Sequence, residues 1–187
     1  MRVHLIGADL EENLALGILA AVVERLGHTA RILAFNDDSM IDAVARRALA
    51  GAPDVIGLSM QFQHRAAEFQ ALARRLRALG FRGHLTAGGQ LATLAWRETL
   101  DPAHGVDTIV LHDGEETLAE LLGAIERGAR LADVPGLALR ADDGAPIRTA
   151  ARRLLDDLDA VPFPRRYRPH SLHLGVPFIP IMGGRGC

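Results

Sequence analysis

The sequence contains no lysine, because all 21 of its basic residues are arginine. This absence excludes every mechanism that needs a lysine, including the P-loop, whose lysine contacts the bound phosphates. The chain also has a single cysteine, Cys187. One cysteine excludes an internal disulfide, and it excludes a zinc site or an iron–sulfur cluster held by this chain alone.

Long apolar runs and long basic runs are absent as well. No apolar run approaches the roughly 18 residues that a membrane span needs, and the first residues, MRVHLIGADLEE, reach acidic side chains too early for a signal peptide. The formal net charge is -2, and no basic block offers a surface to a phosphate backbone. We therefore expect a cytoplasmic protein that binds neither membranes nor nucleic acid.

The chain does contain a regular alternation of short apolar runs and amphipathic segments. The apolar runs predict five strands, at 2–8, 29–35, 54–60, 82–89 and 106–114. The three-and-four spacing of apolar residues predicts helices at 13–27, 39–51, 64–80, around 91–100 and at 115–128. This order predicts an α/β fold with a doubly wound, five-stranded, mostly parallel sheet of the Rossmann-like or flavodoxin-like kind.

The pattern changes after about residue 130. Residues 134–150 predict a β-hairpin that turns at Asp142–Gly144, and residues 156–169 form a connector interrupted by prolines. One more apolar strand is predicted at 176–182, with no helix after it. We divide the chain into a domain at 1–130, a hairpin and linker at 131–175, and the start of a further domain at 176–187.

Ligands of open parallel sheets bind outside the carboxyl ends of the strands, so the residues that follow each strand are the candidates. Those residues are GADLEEN (7–13), SMQFQH (59–64), GGQ (88–90) and HDGEE (112–116). The first segment lacks the glycines of a dinucleotide site and is too acidic for a flavin mononucleotide site. Ser59 and His112 stand where a receiver domain has aspartate and lysine. Gly88 and Gly89 either let a ligand approach the main chain or simply form a tight turn.

Five segments, in order, carry a resemblance to a known family. They are LGHTARIL (26–33), PDVIGLSM (53–60), LTAGGQLAT (85–93), VDTIVLHDGEETLAELL (106–122) and the connector from GLALR to LDDLDAVPFP (136–164). With them, the chain resembles the cobalamin (B12)-binding domain at the N-terminus of B12-dependent radical S-adenosylmethionine (SAM) enzymes. The resemblance implies cobalamin as the cofactor, with a [4Fe-4S] cluster and SAM bound only by a full-length protein that contains a TIM-like barrel.

The resemblance also implies individual cofactor contacts. The family's D-x-H-x-x-G motif falls near Leu10, Glu12 and Ala15 and matches none of them, so cobalamin is expected without a histidine ligand from the first loop. The implied cobalamin-binding residues are Asp9, Leu10, Glu12, Ser59, Met60, Gln61, Gln63, Gly88, Gly89, Gln90, His112, Asp113, Gly114 and Glu115. Cys187, in the context RGC, is implied to be the first of three cluster ligands, at which the sequence stops.

Some of these residues have a second interpretation. Ser59 also fits an ordinary cap at a strand end, and Glu115 fits a carboxylate that interacts with a helix dipole. His64 fits either a cobalt ligand or a solvated residue at the start of a helix. His170 and His173 are three positions apart, but no nearby carboxylate or cysteine completes a metal site.

The implied function is that of the cobalamin-binding domain of a B12-dependent radical SAM enzyme. The full-length protein is expected to be a methyltransferase that acts on an unactivated carbon of a small-molecule or peptide substrate, and this fragment alone is not expected to be an enzyme. The alternatives are a stand-alone corrinoid-binding or regulatory module without catalysis, and a flavodoxin-like electron carrier. The colour of the purified protein distinguishes a flavin from a corrinoid.

Overall fold

The computed structural model describes residues 1–153, 155, 157–169 and 171–184. The expected cluster ligand, Cys187, lies outside the described residues, as does His170. Within the described part of the chain, no helix is both long enough and apolar enough to cross a membrane.

A seven-stranded sheet forms the centre of the fold, in the order β2-β1-β3-β4-β5-β6-β7. Its strands are β1 (Arg2–Gly7), β2 (Thr29–Ala34), β3 (Val55–Ser59), β4 (His84–Gly88), β5 (Thr108–Val110), β6 (Leu137–Arg140) and β7 (Pro146–Arg148). The first five strands are parallel, as the sequence predicted, and β6 and β7 are antiparallel. The doubly wound α/β fold is thus confirmed.

The predicted hairpin does more than connect elements, because it extends the sheet. β6 pairs with β5, with Thr108 opposite Leu139, and β7 pairs with β6. Leu137 and Ala138 are completely buried, so pairing with β5 removes their apolar side chains from water. The structure therefore places the hairpin in the same sheet as residues 1–130, whereas the sequence assigned it to a linker.

Helices cover both faces of the sheet. They are α1 (Leu14–Arg25), α2 (Ile41–Leu49), α3 (Ala66–Ala78), α4 (Gln90–Leu94), α5 (Trp96–Thr99) and α6 (Glu115–Arg127). The helices α1 and α6 share one buried apolar cluster, and α2, α3, α4 and α5 share another on the opposite face. The predicted helix around 91–100 is divided at Ala95, whose backbone leaves the helical region. The connection after β1 places β2 on one side of β1 in the sheet, and the later connections place β3, β4 and β5 on its other side. This reversal of strand order opens a crevice at the carboxyl ends of β1 and β3.

The C-terminal residues form a connector and a small separate hairpin. The strands β8 (Ser171–His173) and β9 (Val176–Phe178) pair with each other in an antiparallel sheet. β9 is shorter than the strand predicted at 176–182, and the sequence did not predict its partner. The connector crosses α1, where the Arg165 N–H donates to the Gly17 carbonyl at 3.0 Å. A Cβ on Gly17 would lie 2.8 Å from the Arg165 carbonyl oxygen, so glycine is needed at this crossing.

Candidate functional site

A pocket of about 420 Å³ opens at the carboxyl edge of the sheet, on the face covered by α1 and α6. Its interior is apolar because both helices and the strands beneath them direct aliphatic side chains into it. These side chains are Leu5, Leu16, Leu19, Val110 and Leu118. Most of them are also buried members of the apolar cluster on this face, which makes the pocket walls part of the packed core.

Glycines at two strand positions remove side chains from the pocket floor. Gly57 lies two residues before Ser59 and therefore on the same face of β3, and Gly88 shares a face of β4 with Thr86. A Cβ on Gly57 would lie 3.0 Å from Leu5 Cδ2, and one on Gly88 would lie 3.4 Å from the Val110 carbonyl oxygen. The space above these strands is therefore available to a ligand only while both positions lack a side chain.

Gly89 has a different role, since its backbone makes the turn from β4 into α4. Its φ is +100° and its ψ is 176°, a region that is open almost only to glycine. A Cβ there would lie 2.6 Å from the Met60 carbonyl oxygen. That same oxygen accepts hydrogen bonds from the N–H groups of Leu91 and Ala92, at 3.1 and 3.4 Å. Gly89 thus lets the turn lie against the end of β3.

The polar groups of the pocket lie mainly at its mouth. Ser59, Gln61, His112 and Asp113 line it there, whereas Glu115, in the first turn of α6, lines the pocket as a buried residue. Deeper in the pocket, Thr86 uses its hydroxyl within the protein: it donates to the Thr108 carbonyl at 3.2 Å and accepts from the Thr108 hydroxyl at 2.9 Å. The mouth can therefore offer hydrogen bonds to a ligand, while the interior is suited to an apolar group.

His112 has an unusual backbone for a residue with a side chain. Its φ is +57°, in the left-handed region, which is uncommon outside glycine. Its N–H donates to the Thr93 hydroxyl at 3.0 Å, which fixes the turn between β5 and α6. The imidazole is exposed at the mouth of the pocket.

Eight of the predicted contact residues line this pocket. They are Ser59, Gln61, Gly88, Gly89, His112, Asp113, Gly114 and Glu115. The other six do not line it, namely Asp9, Leu10, Glu12, Met60, Gln63 and Gln90. Met60 is only 1% exposed and belongs to the apolar cluster on the opposite face, whereas Leu10 is 78% exposed.

Two acidic residues of the first loop, Asp9 and Glu12, bind the connector instead of lining the pocket. The Asp9 carboxylate accepts from the Tyr167 hydroxyl at 2.8 Å and from Arg168 Nη1 at 3.2 Å. The Glu12 carboxylate accepts from Arg166 Nη1 at 2.6 Å and from the Tyr167 N–H at 3.3 Å. We call these five residues the clasp. Because Glu12 is buried, the clasp supplies the partners that its charge requires.

The tyrosine of the clasp is held in its protonated form. Burial, together with its hydrogen bond to the Asp9 carboxylate, raises the pKa of Tyr167 well above its ordinary value. The same hydroxyl accepts a hydrogen bond from the Asn13 N–H at 2.8 Å, and the Asn13 side chain caps α1. The connector therefore fixes the start of α1, which is one wall of the pocket.

Sequence reasoning missed the walls of the pocket. The residues it did not identify are Leu5, Ala15, Leu16, Leu19, Gly57, Leu58, Thr86, Ala87, Val110, Leu118 and Met182. The alternation of faces along β3 and β4 could have identified Gly57 and Thr86, since each lies two positions from a predicted contact. Met182 reaches the pocket from the C-terminal segment, and no local pattern indicates that contact.

No metal site is apparent in the part of the chain that the structure describes, where no three histidine, cysteine, aspartate or glutamate residues cluster. His64 lies in a 3₁₀ turn at Gln63–Arg65, where it is exposed and stacks on Phe62 with ring centroids 5.7 Å apart. It does not line the pocket. The electron paramagnetic resonance spectrum of bound cob(II)alamin distinguishes the two interpretations of His64, a cobalt ligand and a solvated residue.

Comparison with known proteins gives a consistent picture. The model of the B12 binding domain matches residues 7–122. An uncharacterised methyltransferase of Pyrococcus horikoshii is 26% identical over 184 residues, which is 93% of this chain and 38% of that protein. The anaerobic magnesium-protoporphyrin IX monomethyl ester cyclase of Rubrivivax gelatinosus is 27% identical over 172 residues, which is 84% of this chain and 30% of that protein.

A solved structure shares the fold. The radical SAM methyltransferase TsrM of Kitasatospora setae, solved with cobalamin and a [4Fe-4S] cluster bound, superposes with a TM-score of 0.67 at 20% identity. The match covers 87% of this chain and 31% of TsrM. The chain thus spans less than two fifths of the length of each of these proteins.

Proposed function

The chain belongs to the B12-binding domain family, and from that membership we propose that it holds cobalamin with the nucleotide tail inserted between α1 and α6. The observation that carries this proposal is the pocket, whose mouth lies at the carboxyl edge of the parallel strands and whose floor is made of glycines. When bound, cobalamin supplies a cobalt–carbon bond from which a methyl group can be transferred.

The residues of the pocket fit the parts of that cofactor. The benzimidazole base of the tail is flat and largely apolar, and it matches the aliphatic interior formed by Leu16, Leu19 and Leu118. A Cβ on Gly57 or Gly88 would take up space that the base needs. At the mouth, Ser59 and Gln61 offer hydroxyl and amide groups to the polar substituents of the tail and the corrin ring.

We propose that the first loop provides no ligand to cobalt. The loop contains no histidine at 7–13, and its acidic residues Asp9 and Glu12 form hydrogen bonds with the connector. A base held between Leu16, Leu19 and Leu118 would not be available as a ligand to cobalt. The role of this chain would then be to keep the lower face of the corrin without a nitrogen ligand.

We extend the proposal from this domain to the whole protein. We propose that the chain is part of a longer cytoplasmic enzyme, with the domain at 1–130 extended by the hairpin β6–β7, a connector that runs to residue 175 and a SAM-binding barrel beginning at 176–187. Cys187 would be the first ligand of its [4Fe-4S] cluster, and a small-molecule or peptide substrate would bind in the barrel. Support comes from the ordered motifs and from relatives named as a methyltransferase and a cyclase. We favour methyl transfer to an unactivated carbon.

The proposal for the domain can be tested with a substitution that blocks the pocket. Ala15 lies on α1, is exposed and lines the rim, so Ala15→Trp fills the mouth without entering the core. Ala78→Trp is the matched control, since Ala78 is an exposed alanine on α3, which covers the opposite face.

The measurement is the corrinoid absorbance that stays with the protein after incubation with hydroxocobalamin and desalting. The wild-type chain and Ala78→Trp are expected to retain about one equivalent, and Ala15→Trp is expected to retain none. Retention by Ala15→Trp equal to that of wild type would show that cobalamin does not use this pocket. Absence of retention by the wild-type chain would overturn cobalamin binding by this domain.

A further inference from the structure

We propose that His112 donates a hydrogen bond to the phosphodiester of the cobalamin tail, and that it thereby selects complete corrinoids over those without a tail. This inference rests on the proposed function. It begins from the backbone of His112, which keeps φ at +57° although a side chain is present. Residues with side chains in such conformations are concentrated at functional sites, where the surrounding structure holds them in place.

The position of the imidazole supports a contact with the ligand. His112 is exposed, and it is one of the residues that line the pocket. Its backbone N–H is already used by the Thr93 hydroxyl, at 3.0 Å, so the turn is anchored without the ring. The backbone from which the side chain extends is therefore fixed beside the opening of the pocket.

The charges around the pocket indicate what the ring would contact. The chain has no lysine, and no arginine is found among the described residues that line the pocket. Among the described residues that line the pocket, His112 is thus the one whose side chain is a ring with an N–H donor. The carboxylates of Asp113 and Glu115 act as acceptors, which suits amide and ribose hydroxyl groups but not an anion.

A second feature favours an anion at the same place. The 13-residue helix α6 begins at Glu115, directly after Gly114, and both residues line the pocket. The N–H groups at the start of a helix favour a phosphate, although the first turn of α6 also carries the carboxylates of Glu115 and Glu116. If the base occupies the apolar interior, the phosphodiester that joins it to the corrin must cross the mouth, between His112 and this helix end.

The test compares two corrinoids and two variants of the 187-residue chain. Hydroxocobalamin carries the phosphodiester, whereas cobinamide lacks the nucleotide tail and its phosphate. His112→Gly removes the ring and permits the same backbone. Ala52→Gly is the matched control, because Ala52 is exposed, also has a positive φ of 44° and does not line the pocket. Dissociation constants come from absorbance titrations, and thermal unfolding midpoints are recorded for each variant.

The expected result is a loss of affinity without a loss of stability. His112→Gly should bind hydroxocobalamin about tenfold more weakly, as expected for one hydrogen bond to a charged group, and should bind cobinamide as wild type does. Its unfolding midpoint should stay the same or rise, since glycine adopts this backbone without strain. Ala52→Gly should bind both corrinoids with unchanged affinity.

Other outcomes overturn separate statements. Equal hydroxocobalamin affinity of His112→Gly and wild type would refute the role of His112 and leave cobalamin binding intact. Equal weakening toward both corrinoids would place the contact on the corrin ring and refute the phosphodiester contact. A lowered unfolding midpoint with weaker binding of both would make His112 a structural residue. If the wild-type chain bound neither corrinoid, the proposed function itself would fail.

Discussion

At the scale of single residues, Gly89 meets two requirements that no other residue type meets. Its φ of +100° with an extended ψ is strained for any side chain, and a Cβ would collide with the Met60 carbonyl oxygen at 2.6 Å. The carbonyl cannot move away easily, because it accepts hydrogen bonds from the first turn of α4. The end of β3 and the turn after β4 are therefore held together at the pocket.

We predict that Gly89→Ala lowers the free energy of unfolding by about 1–3 kcal/mol, measured by urea denaturation. The control is Gly128→Ala. Gly128 ends α6 with a φ of +62°, and nothing lies within 4 Å of its would-be Cβ, so the control reports the cost of the backbone alone. The loss for Gly89→Ala should exceed that of the control, and equal losses would contradict the close approach to Met60.

One buried histidine, His4, and one partly buried histidine, His84, make stability depend on pH. Burial lowers the pKa of His4, which is 4% exposed and whose Nδ1 lies 2.7 Å from the Ala48 carbonyl oxygen. Burial also lowers the pKa of His84, and the nearby Asp107 carboxylate opposes that shift only in part. Both rings are therefore neutral in the folded chain at pH values where the unfolded chain begins to bind protons.

We predict that stability falls as the pH drops below about 6.5, the ordinary pKa of histidine. The unfolded state binds more protons there, so the free energy of unfolding decreases until the pH passes the lowered pKa values of the folded state. Urea denaturation between pH 8 and pH 5 measures the slope. The double variant His4→Gln/His84→Gln should have a shallower slope than wild type over this range, and an unchanged slope would assign the acid sensitivity to other groups.

At the scale of elements, the clasp joins segments that are far apart in the sequence. Glu12 and Arg166 are separated by 154 positions, and Asp9 and Arg168 by 159. The side chain of Glu12 is 6% exposed and that of Arg166 is 37% exposed, so the pair is only partly screened by water. The connector is consequently held on the first loop and on the start of α1.

We predict that Tyr167→Phe releases the connector. The change leaves the Asn13 N–H and the Asp9 carboxylate without their hydroxyl partner, at a cost of about 1 kcal/mol or more. Cleavage by trypsin after Arg165 and Arg166 should accelerate about fivefold, because it follows the population of the released state. Phe163→Tyr, on the 95% exposed Phe163 of the same connector, is the control and should not change the rate. An unchanged rate for Tyr167→Phe would mean that the clasp does not hold the connector.

The elements also indicate what the sequence could and could not predict. The parallel strands and the helices α1, α3 and α6 follow from local periodicity, which each segment carries by itself. The pairing of β6 with β5 depends on contacts between segments that are distant in the sequence. Local periodicity therefore predicted the hairpin but not its place in the sheet. The clasp could not be predicted for the same reason. An acidic loop indicates charge, but it does not identify a partner more than 150 positions away. Eight of the residues that line the pocket were found, because they lie at or directly after the ends of strands. Most of the missed residues are ordinary aliphatic residues, which cannot be distinguished from core by sequence.

At the scale of the whole molecule, the pocket links the stability of the domain to its ligand. The walls of the pocket come from α1, α6 and four strands of the sheet, so they exist only in the folded chain. A ligand that binds there stabilises the folded state according to its concentration relative to its dissociation constant. Cobalamin should therefore raise the free energy of unfolding of the whole domain and not only stabilise one loop.

We predict that hydroxocobalamin at 100 times its dissociation constant raises the free energy of unfolding by about 2.7 kcal/mol. For a chain of this size the thermal midpoint should rise by about 5–10 °C, as recorded by circular dichroism. The midpoint of Ala15→Trp should not respond to hydroxocobalamin, while that of Ala78→Trp should respond as wild type does. A rise of the same size in Ala15→Trp would mean that the stabilisation comes from another site.

The central claim is that the nucleotide base leaves the cobalt and enters the pocket between α1 and α6, with no protein nitrogen in its place. The most direct measurement is the electron paramagnetic resonance spectrum of cob(II)alamin bound to the chain, with the protein uniformly labelled with ¹⁵N. We predict a spectrum without nitrogen superhyperfine splitting. A triplet would show that the ¹⁴N of the cofactor base still binds cobalt, and a doublet would show that a protein histidine such as His64 binds it; either splitting would contradict the claim.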